Sequence, residues 1–182
     1  IIDELHTFFD SKRGHLLSLN LARLRSIKPF QIIGLSATLK NTDLAKKYLS
    51  NNKDTKLVSA HSNVVPEISI LKSDNRIPWS GHSPRYALSD IYLEVLKFKS
   101  SILFVNTRAQ AEMLFESLWA INNKNKKIAI HHGSLEKDLR KKVEKEIVEG
   151  HVECVVATSS LDLGLDWGNI DLVMQIGAPK GV

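Results

Sequence analysis

Between residues 88 and 176 the sequence alternates between two hydrophobic periods, and few folds accommodate that alternation. Leu88, Ile91, Tyr92, Val95 and Leu96 have the spacing of one helical face. The apolar run "SILFVN" follows, and then Ala111, Leu114, Phe115, Leu118 and Trp119 repeat the helical spacing. "KIAIHH" predicts the next strand, Leu135, Leu139, Val143 and Ile147 the next helix, and "ECVVAT" and "DLVMQIG" two more strands. Strands separated by helices of about 10 to 15 residues predict an α/β fold with a parallel sheet covered on both faces. Right-handed crossovers then bring every strand's C-terminal end to one edge, where open sheets of this kind bind ligands. No internal repeat or low-complexity tract interrupts the pattern.

The first third reads differently. Leu16, Leu17, Leu19, Leu21, Leu24 and Ile27 form a crowded helical stripe from Lys12 to Ile27. "QIIGLSAT" predicts a buried strand, Thr42 to Leu49 a helix capped by Thr42 or Asn41, and "TKLVSA" one more strand. Three of the five prolines then fall in "HSNVVPEISILKSDNRIPWSGHSPRYA", with "EISIL" as a short strand between turns. This change of texture places a first domain at residues 1–62, a linker at 63–66 and a second domain at 67–182. The opening "IIDELH" reads as the end of a buried strand, so the chain is expected to be a piece of a longer one.

Composition narrows the class. A hydrophobic content of 43% in 182 residues suffices for packed cores, and no run of about 18 apolar residues is present for a membrane span. The single Cys154, inside "VECVVAT", predicts a buried strand thiol in a reducing, cytoplasmic setting with no membrane partner. Of 25 Lys and Arg and 20 Asp and Glu, residues 1–66 hold ten and five, leaving fifteen of each beyond. The whole excess of +5 therefore lies in the first third, where solvated lysines and a phosphate-facing surface both account for it.

Most small, polar and acidic residues sit at the predicted strand ends: "DELH", "SAT", "NTR", "HHGS", "ATSSLDLGLD" and "QIGAPKG". Successive carboxylates after a strand suit nucleoside triphosphate hydrolysis, one holding Mg²⁺ through water and the other activating the attacking water. Asp3 and Glu4 are also residue types favoured before a helix. Thr107 and Arg108 after "LFVN" can all donate to phosphate oxygens, and an ordinary helix start with Thr107 as cap predicts the same two residues. Adjacent His131 and His132 in an extended run face opposite ways, which argues against a shared metal. Gly133 and Ser134 beside them offer backbone and hydroxyl donors to a phosphate. In "TSSLDLGLD", Thr158, Ser159 and Ser160 supply hydroxyls, Gly164 permits close backbone approach, and Asp166 accepts hydrogen bonds from a ribose or an arginine. Trp79 is either a stacking platform for a base or a packing residue.

Taken together and in order, "DELH", "LSATL", "LFVNTRAQAE", "AIHHGSL" and "VVATSSLDLGLDWGNIDLVMQIGAPKGV" resemble motifs II, III, IV and V of superfamily 2 helicases, ending before motif VI. "SKRGHLLSLNLARLR", "IPWSGH", "HHGSL", "TSSLDLG" and "QIGAPKGV" narrow the resemblance to the Lhr (large helicase-related) family, and within it to the bacterial ligase-associated DEXH-box helicases. The resemblance implies the C-terminal part of one RecA-like domain and most of a second, with ATP and Mg²⁺ as cofactors and translocation on single-stranded or partly duplex DNA in repair. An RNA–DNA hybrid also fits, as does a ligase or nuclease neighbour. By position, Asp3 serves the Mg²⁺ shell and Glu4 is the general base, with Asp3, Glu4 and His6 as the catalytic set. His6, Ser36, Ala37 and Thr38 couple nucleotide state to the DNA site. Thr107, Arg108, Gly133, Ser134, Thr158, Ser159 and Ser160 meet nucleic acid, while Gly164 and Asp166 face the nucleotide.

No Gly-x-x-x-x-Gly-Lys-[Ser/Thr] occurs in the 182 residues, nor a Gln-Arg-x-Gly-Arg segment. Arginines of that second kind are worth about 10³ to 10⁵ in rate, so this stretch alone is expected to be inactive. The competing expectation is a non-hydrolysing remnant that acts only as a nucleic-acid-binding module.

Overall fold

The computed structural model describes residues 1–50, 55–59, 65–76, 78–79, 84–161 and 170–178. The chain divides into two compact units, Ile1–Glu67 and Ile68–Val182.

In the larger unit, a 3₁₀ turn (Pro84–Ala87) leads into α3 (Leu88–Leu96), followed by β1 (Ser101–Phe104), α4 (Arg108–Ile121), β2 (Ile128–His131), α5 (Lys137–Val148), β3 (Cys154–Ala157), a second 3₁₀ turn (Ser159–Leu161) and β4 (Leu172–Gln175). The four strands form one sheet in the order β2-β3-β1-β4, all parallel. Alternation along the strands divides the core as the pleat requires. Leu103, Val105, Cys154, Val156 and Ile128 pack with Ile91, Tyr92 and Val95 of α3 and Ala111, Leu114 and Leu118 of α4. On the other side Ile102, Val155 and Ala157 pack with Ile147 and with Leu161. All four residues of β3 are buried. Burial pushes the Cys154 thiol up to about 12.

Each predicted helix and strand of this region is present, with one exception at its start. Ile68 and Ile70 of "EISIL" are 89% and 85% exposed and unpaired in any strand. An alternating apolar pattern becomes a strand only when another strand takes its backbone donors, and none among the described residues does so.

The smaller unit consists of a 3₁₀ turn (Leu5–Phe8), α1 (Lys12–Ile27) and α2 (Thr42–Leu49). Ser11 caps α1 by accepting from the Gly14 amide, and Asn41, not Thr42, caps α2 by accepting from Leu44. Its core is the cluster Leu5, Ala45 and Leu49. The helices are tied where Tyr48 donates its hydroxyl to the Gly14 carbonyl at 2.6 Å and Arg25 donates to the Leu49 carbonyl. Gly14 has no room for a side chain: a Cβ there would lie 1.7 Å from the Phe8 carbonyl oxygen.

Two expected strands are absent here. "QIIGLSAT" makes a single parallel bridge, Ile2 with Gly34, with Ile33 and Leu35 nearly half exposed. Residues 55–59 of "TKLVSA" have no strand pairing, and residue 60 lies outside the described residues. The stripe on α1 is also narrower than predicted. Gly14, Leu17, Leu21 and Arg25 turn inward, while Leu16, Leu19, Leu24 and Ile27 remain exposed. No described helix is long and apolar enough to cross a membrane.

Buried side chains, rather than helix propensity, set local stability. Amides of β1 and β3 are therefore expected to exchange only through global opening, and those of residues 2–49 at distinctly lower protection. Native-state hydrogen exchange checks this, and equal protection in the two units would overturn it.

Candidate functional site

In the smaller unit the site grows from the bridge between Ile2 and Gly34. Ile2 donates to the Ile33 carbonyl and accepts from the Leu35 amide, both at 2.8 Å, and Leu5 donates to the Leu35 carbonyl at 2.9 Å. These bonds bring "DELH" and "LSAT" side by side. Between them Glu4 adopts a left-handed conformation, φ 48 and ψ 47. For a residue with a Cβ this costs about 1–2 kcal/mol, and it is held by Leu5, 2% exposed, and by Thr7, whose amide and hydroxyl both donate to the Glu4 carbonyl at 2.9 Å. The reversal directs the chain away after Asp3, which is exposed and accepts from the Glu4 amide through Oδ1 at 2.9 Å.

His6 links the two segments. Ser36 donates its only hydroxyl proton to the Thr38 carbonyl at 2.8 Å, so its oxygen accepts from His6 Nδ1, also at 2.8 Å. The His6 proton therefore sits on Nδ1, and Glu4 Oε2 lies 3.4 Å from the same nitrogen. Asp3, Glu4, His6, Ser36 and Thr38 thus form one connected group, and Ala37 is the exposed residue between its two hydroxyl members. The carboxylates are hard oxygen donors of the kind Mg²⁺ prefers.

In the larger unit the register aligns the strand ends: Phe104 pairs with Ala157 and Gln175, and His131 with Ala157. The loops that follow therefore leave from one edge. Thr107 caps α4 by accepting from the Gln110 amide at 3.2 Å, and Gln110 Oε1 accepts from the Asn106 and Thr107 amides, also at 3.2 Å. This capping box sets Arg108 as the first residue of the helix, exposed at its positive end. Asn106 donates to the Ala178 carbonyl at 2.6 Å, tying the β1 loop to the segment after β4.

His131 and His132 are both buried and do face apart. His131 Nε2 lies 3.0 Å from Glu144 of α5, and His132 Nε2 lies 3.5 Å from Glu112 of α4. Burial holds the His132 imidazole below its ordinary value; Glu112 opposes that shift, and Arg108 and His131 add to it. Gly133 and Ser134 follow, exposed, and a Cβ built on Gly133 meets nothing within 4 Å. Thr158 is half-buried, with its amide donating to the His131 carbonyl at 3.1 Å, and Ser159 is exposed. Leu161, 1% exposed, pins this turn to the core. The side chain of Ser160, and Gly164 and Asp166 entirely, lie outside the described residues. Trp79 is fully exposed, which removes its packing role.

Residues 85–182 match the family described as the helicase conserved C-terminal domain. The whole chain is 34% identical, over 189 aligned residues, to the ATP-dependent helicase Lhr-Core of Methanocaldococcus jannaschii, of which it covers 22%. The chain belongs to the Lhr family of superfamily 2 helicases. A second Lhr relative, the Lhr helicase/uracil glycosylase of Escherichia coli, is 31% identical over the whole chain and is covered over 15% of its length. The solved structure of Mycobacterium smegmatis helicase Lhr bound to ssDNA and AMP-PNP superposes with a TM-score of 0.73 at 35% identity, covering 97% of this chain and 24% of that one. The chain thus spans between about a seventh and a quarter of these Lhr proteins.

Within this Lhr chain, four residues complete the group at the sheet edge without having been singled out from sequence: Asn106, Gln110, Glu112 and Glu144. The spacing Arg108 to Glu112 is that of a helical ion pair, and Thr107 to Gln110 that of a capping box, so both were open to discovery. Asn106 meets Ala178 and Glu144 meets His131, partners 72 and 13 positions away that leave no local signal.

Two substitutions separate the roles in the β1 and β2 loops. Thr107→Ala is expected to cost about 1 kcal/mol of stability through loss of the cap. Gly133→Ala, whose methyl group meets open space, is expected to change stability by no more than about 1 kcal/mol. Urea unfolding of the two variants checks both values.

Proposed function

We propose that this chain is a segment of an ATP-dependent DNA helicase or translocase core, with ATP hydrolysis coupled to movement on single-stranded DNA in a repair role. The observation that carries the reading is the His6 Nδ1 to Ser36 Oγ hydrogen bond of 2.8 Å, which joins the carboxylate segment to the Ser-Ala-Thr segment. A change of contacts at Glu4 reaches Ser36 through one imidazole and Thr38 through one further bond.

Asp3 is assigned to the Mg²⁺ shell through water, and Glu4 to orienting and deprotonating the attacking water. Mg²⁺, when bound, supplies charge neutralisation on the phosphate oxygens. Thr107, Arg108, Gly133, Ser134, Thr158, Ser159 and Ser160 are assigned to the nucleic-acid backbone, and Gly164 and Asp166 to the nucleotide. Support comes from the shared edge of the larger unit and from the solved Lhr relative, which holds ssDNA and AMP-PNP. Backbone contacts of this kind read phosphate rather than base, so an RNA–DNA hybrid is a substrate of the same chemistry. The site suits a reducing, cytoplasmic setting, in which Cys154 stays a thiol.

In the full-length polypeptide, Glu4→Gln is expected to retain ATP binding and to lose about 10²- to 10⁴-fold in turnover. Steady-state ATPase assays with and without single-stranded DNA check this. Wild-type polypeptide that binds DNA but never hydrolyses ATP would favour a binding module, and unchanged turnover in the variant would remove Glu4 from the chemistry. Residues 1–182 alone, without a phosphate-binding glycine loop, are expected to hydrolyse ATP negligibly.

A further inference from the structure

Arg108 and Glu112 stand one turn apart on α4, and both are substantially exposed, at 59% and 44% of their side chains. An exposed pair of this spacing ordinarily holds its members only weakly. This pair differs in its second attachment. Glu112 Oε1, which accepts from Arg108 Nε at 2.8 Å, is the same oxygen that lies 3.5 Å from His132 Nε2. His132 is 2% exposed, and its Nδ1 has no hydrogen-bond partner among the described residues. Glu112 is thus the carboxylate beside this ring. The imidazole is held in place, because His132 directly follows β2 and its side chain is enclosed.

We propose that Glu112 is a positioning residue for nucleic-acid binding. Its carboxylate oxygen, braced by buried His132, fixes the Arg108 guanidinium by Nε and directs the remaining N–H groups outward to a phosphate. One carboxylate thereby joins the loop after β1 to the loop after β2, so that Arg108 and the Gly133–Ser134 segment meet the phosphate chain in a fixed relation. The guanidinium has five donors in a rigid fork, and holding one of them leaves a bidentate pair for a phosphate. An unrestrained arginine would lose its rotamer freedom on binding; one already held loses less. The proposal rests on the assignment of Arg108 to phosphate made above.

The sign of the effect separates positioning from simple charge. Glu112 is an anion beside a polyanion's path, so by charge alone its removal tightens binding. By positioning, its removal weakens binding. The test is anisotropy of a fluorescein-labelled single-stranded oligothymidylate with the full-length polypeptide across a salt series, using Arg108→Ala, Glu112→Ala, Glu112→Gln and the double alanine variant. Expected results are a loss of about tenfold or more for Arg108→Ala and at least about threefold for Glu112→Ala. Glu112→Gln, whose amide oxygen still accepts from Arg108, recovers most of that loss. The double variant is no weaker than Arg108→Ala, and both lower the salt slope by about 0.7, one single-strand phosphate contact. Unchanged or tighter binding in Glu112→Ala, alongside weakened Arg108→Ala, overturns the positioning role alone. Unchanged binding in Arg108→Ala overturns the phosphate assignment and the proposal with it.

Discussion

β3 is paired to β2 on one side and β1 on the other, with all four of its side chains buried, and the larger unit is organised around that strand. A parallel strand in such a position needs apolar residues on both faces, and "CVVA" supplies them. Because its register sets Ala157 level with both Phe104 and His131, the loops after three strands start at one height. The polar residues there need no further device to come together. Helix packing then decides which way each loop turns, with α3 and α4 against one face of the sheet and α5 against the other.

The smaller unit assembles its site by another route. Among its described residues it has one bridge where the larger unit has a sheet, and its geometry depends on a strained residue rather than on a buried strand. Glu4 stays left-handed because Leu5 is buried immediately after it and Thr7 occupies its carbonyl twice. Strain of this kind persists only where the surroundings over-determine it, and it concentrates at functional positions. Here it lets a single turn present Asp3, Glu4 and His6 to different neighbours.

Much of this was legible in the sequence, and the failures share one cause. Helices announce themselves locally, since a helix satisfies its own backbone; α1, α2, α3, α4 and α5 all lie where their periodicity predicted. A strand requires a partner, and the pattern of "TKLVSA" or "EISIL" says nothing about whether one exists. The four strands that formed among the described residues are those that pair with one another in a single sheet. At the site, the residue types at the strand ends were readable in order, whereas the bonds between them were not. His6 with Ser36 spans 30 positions and His131 with Glu144 spans 13, and only the folded chain relates them. Where a partner lay within one helical turn, as Glu112 does for Arg108, the spacing was there to be read.

The single thiol of the chain lies at the first position of β3, fully buried, with its pKa pushed up to about 12. Thiolate is the reactive form, so alkylating reagents meet neither an accessible nor an ionised sulfur while the sheet is intact. The larger unit thus carries its own unfolding reporter. Maleimide consumption would time the opening of the sheet, and a cysteine introduced at an exposed loop would label selectively without removal of the native one.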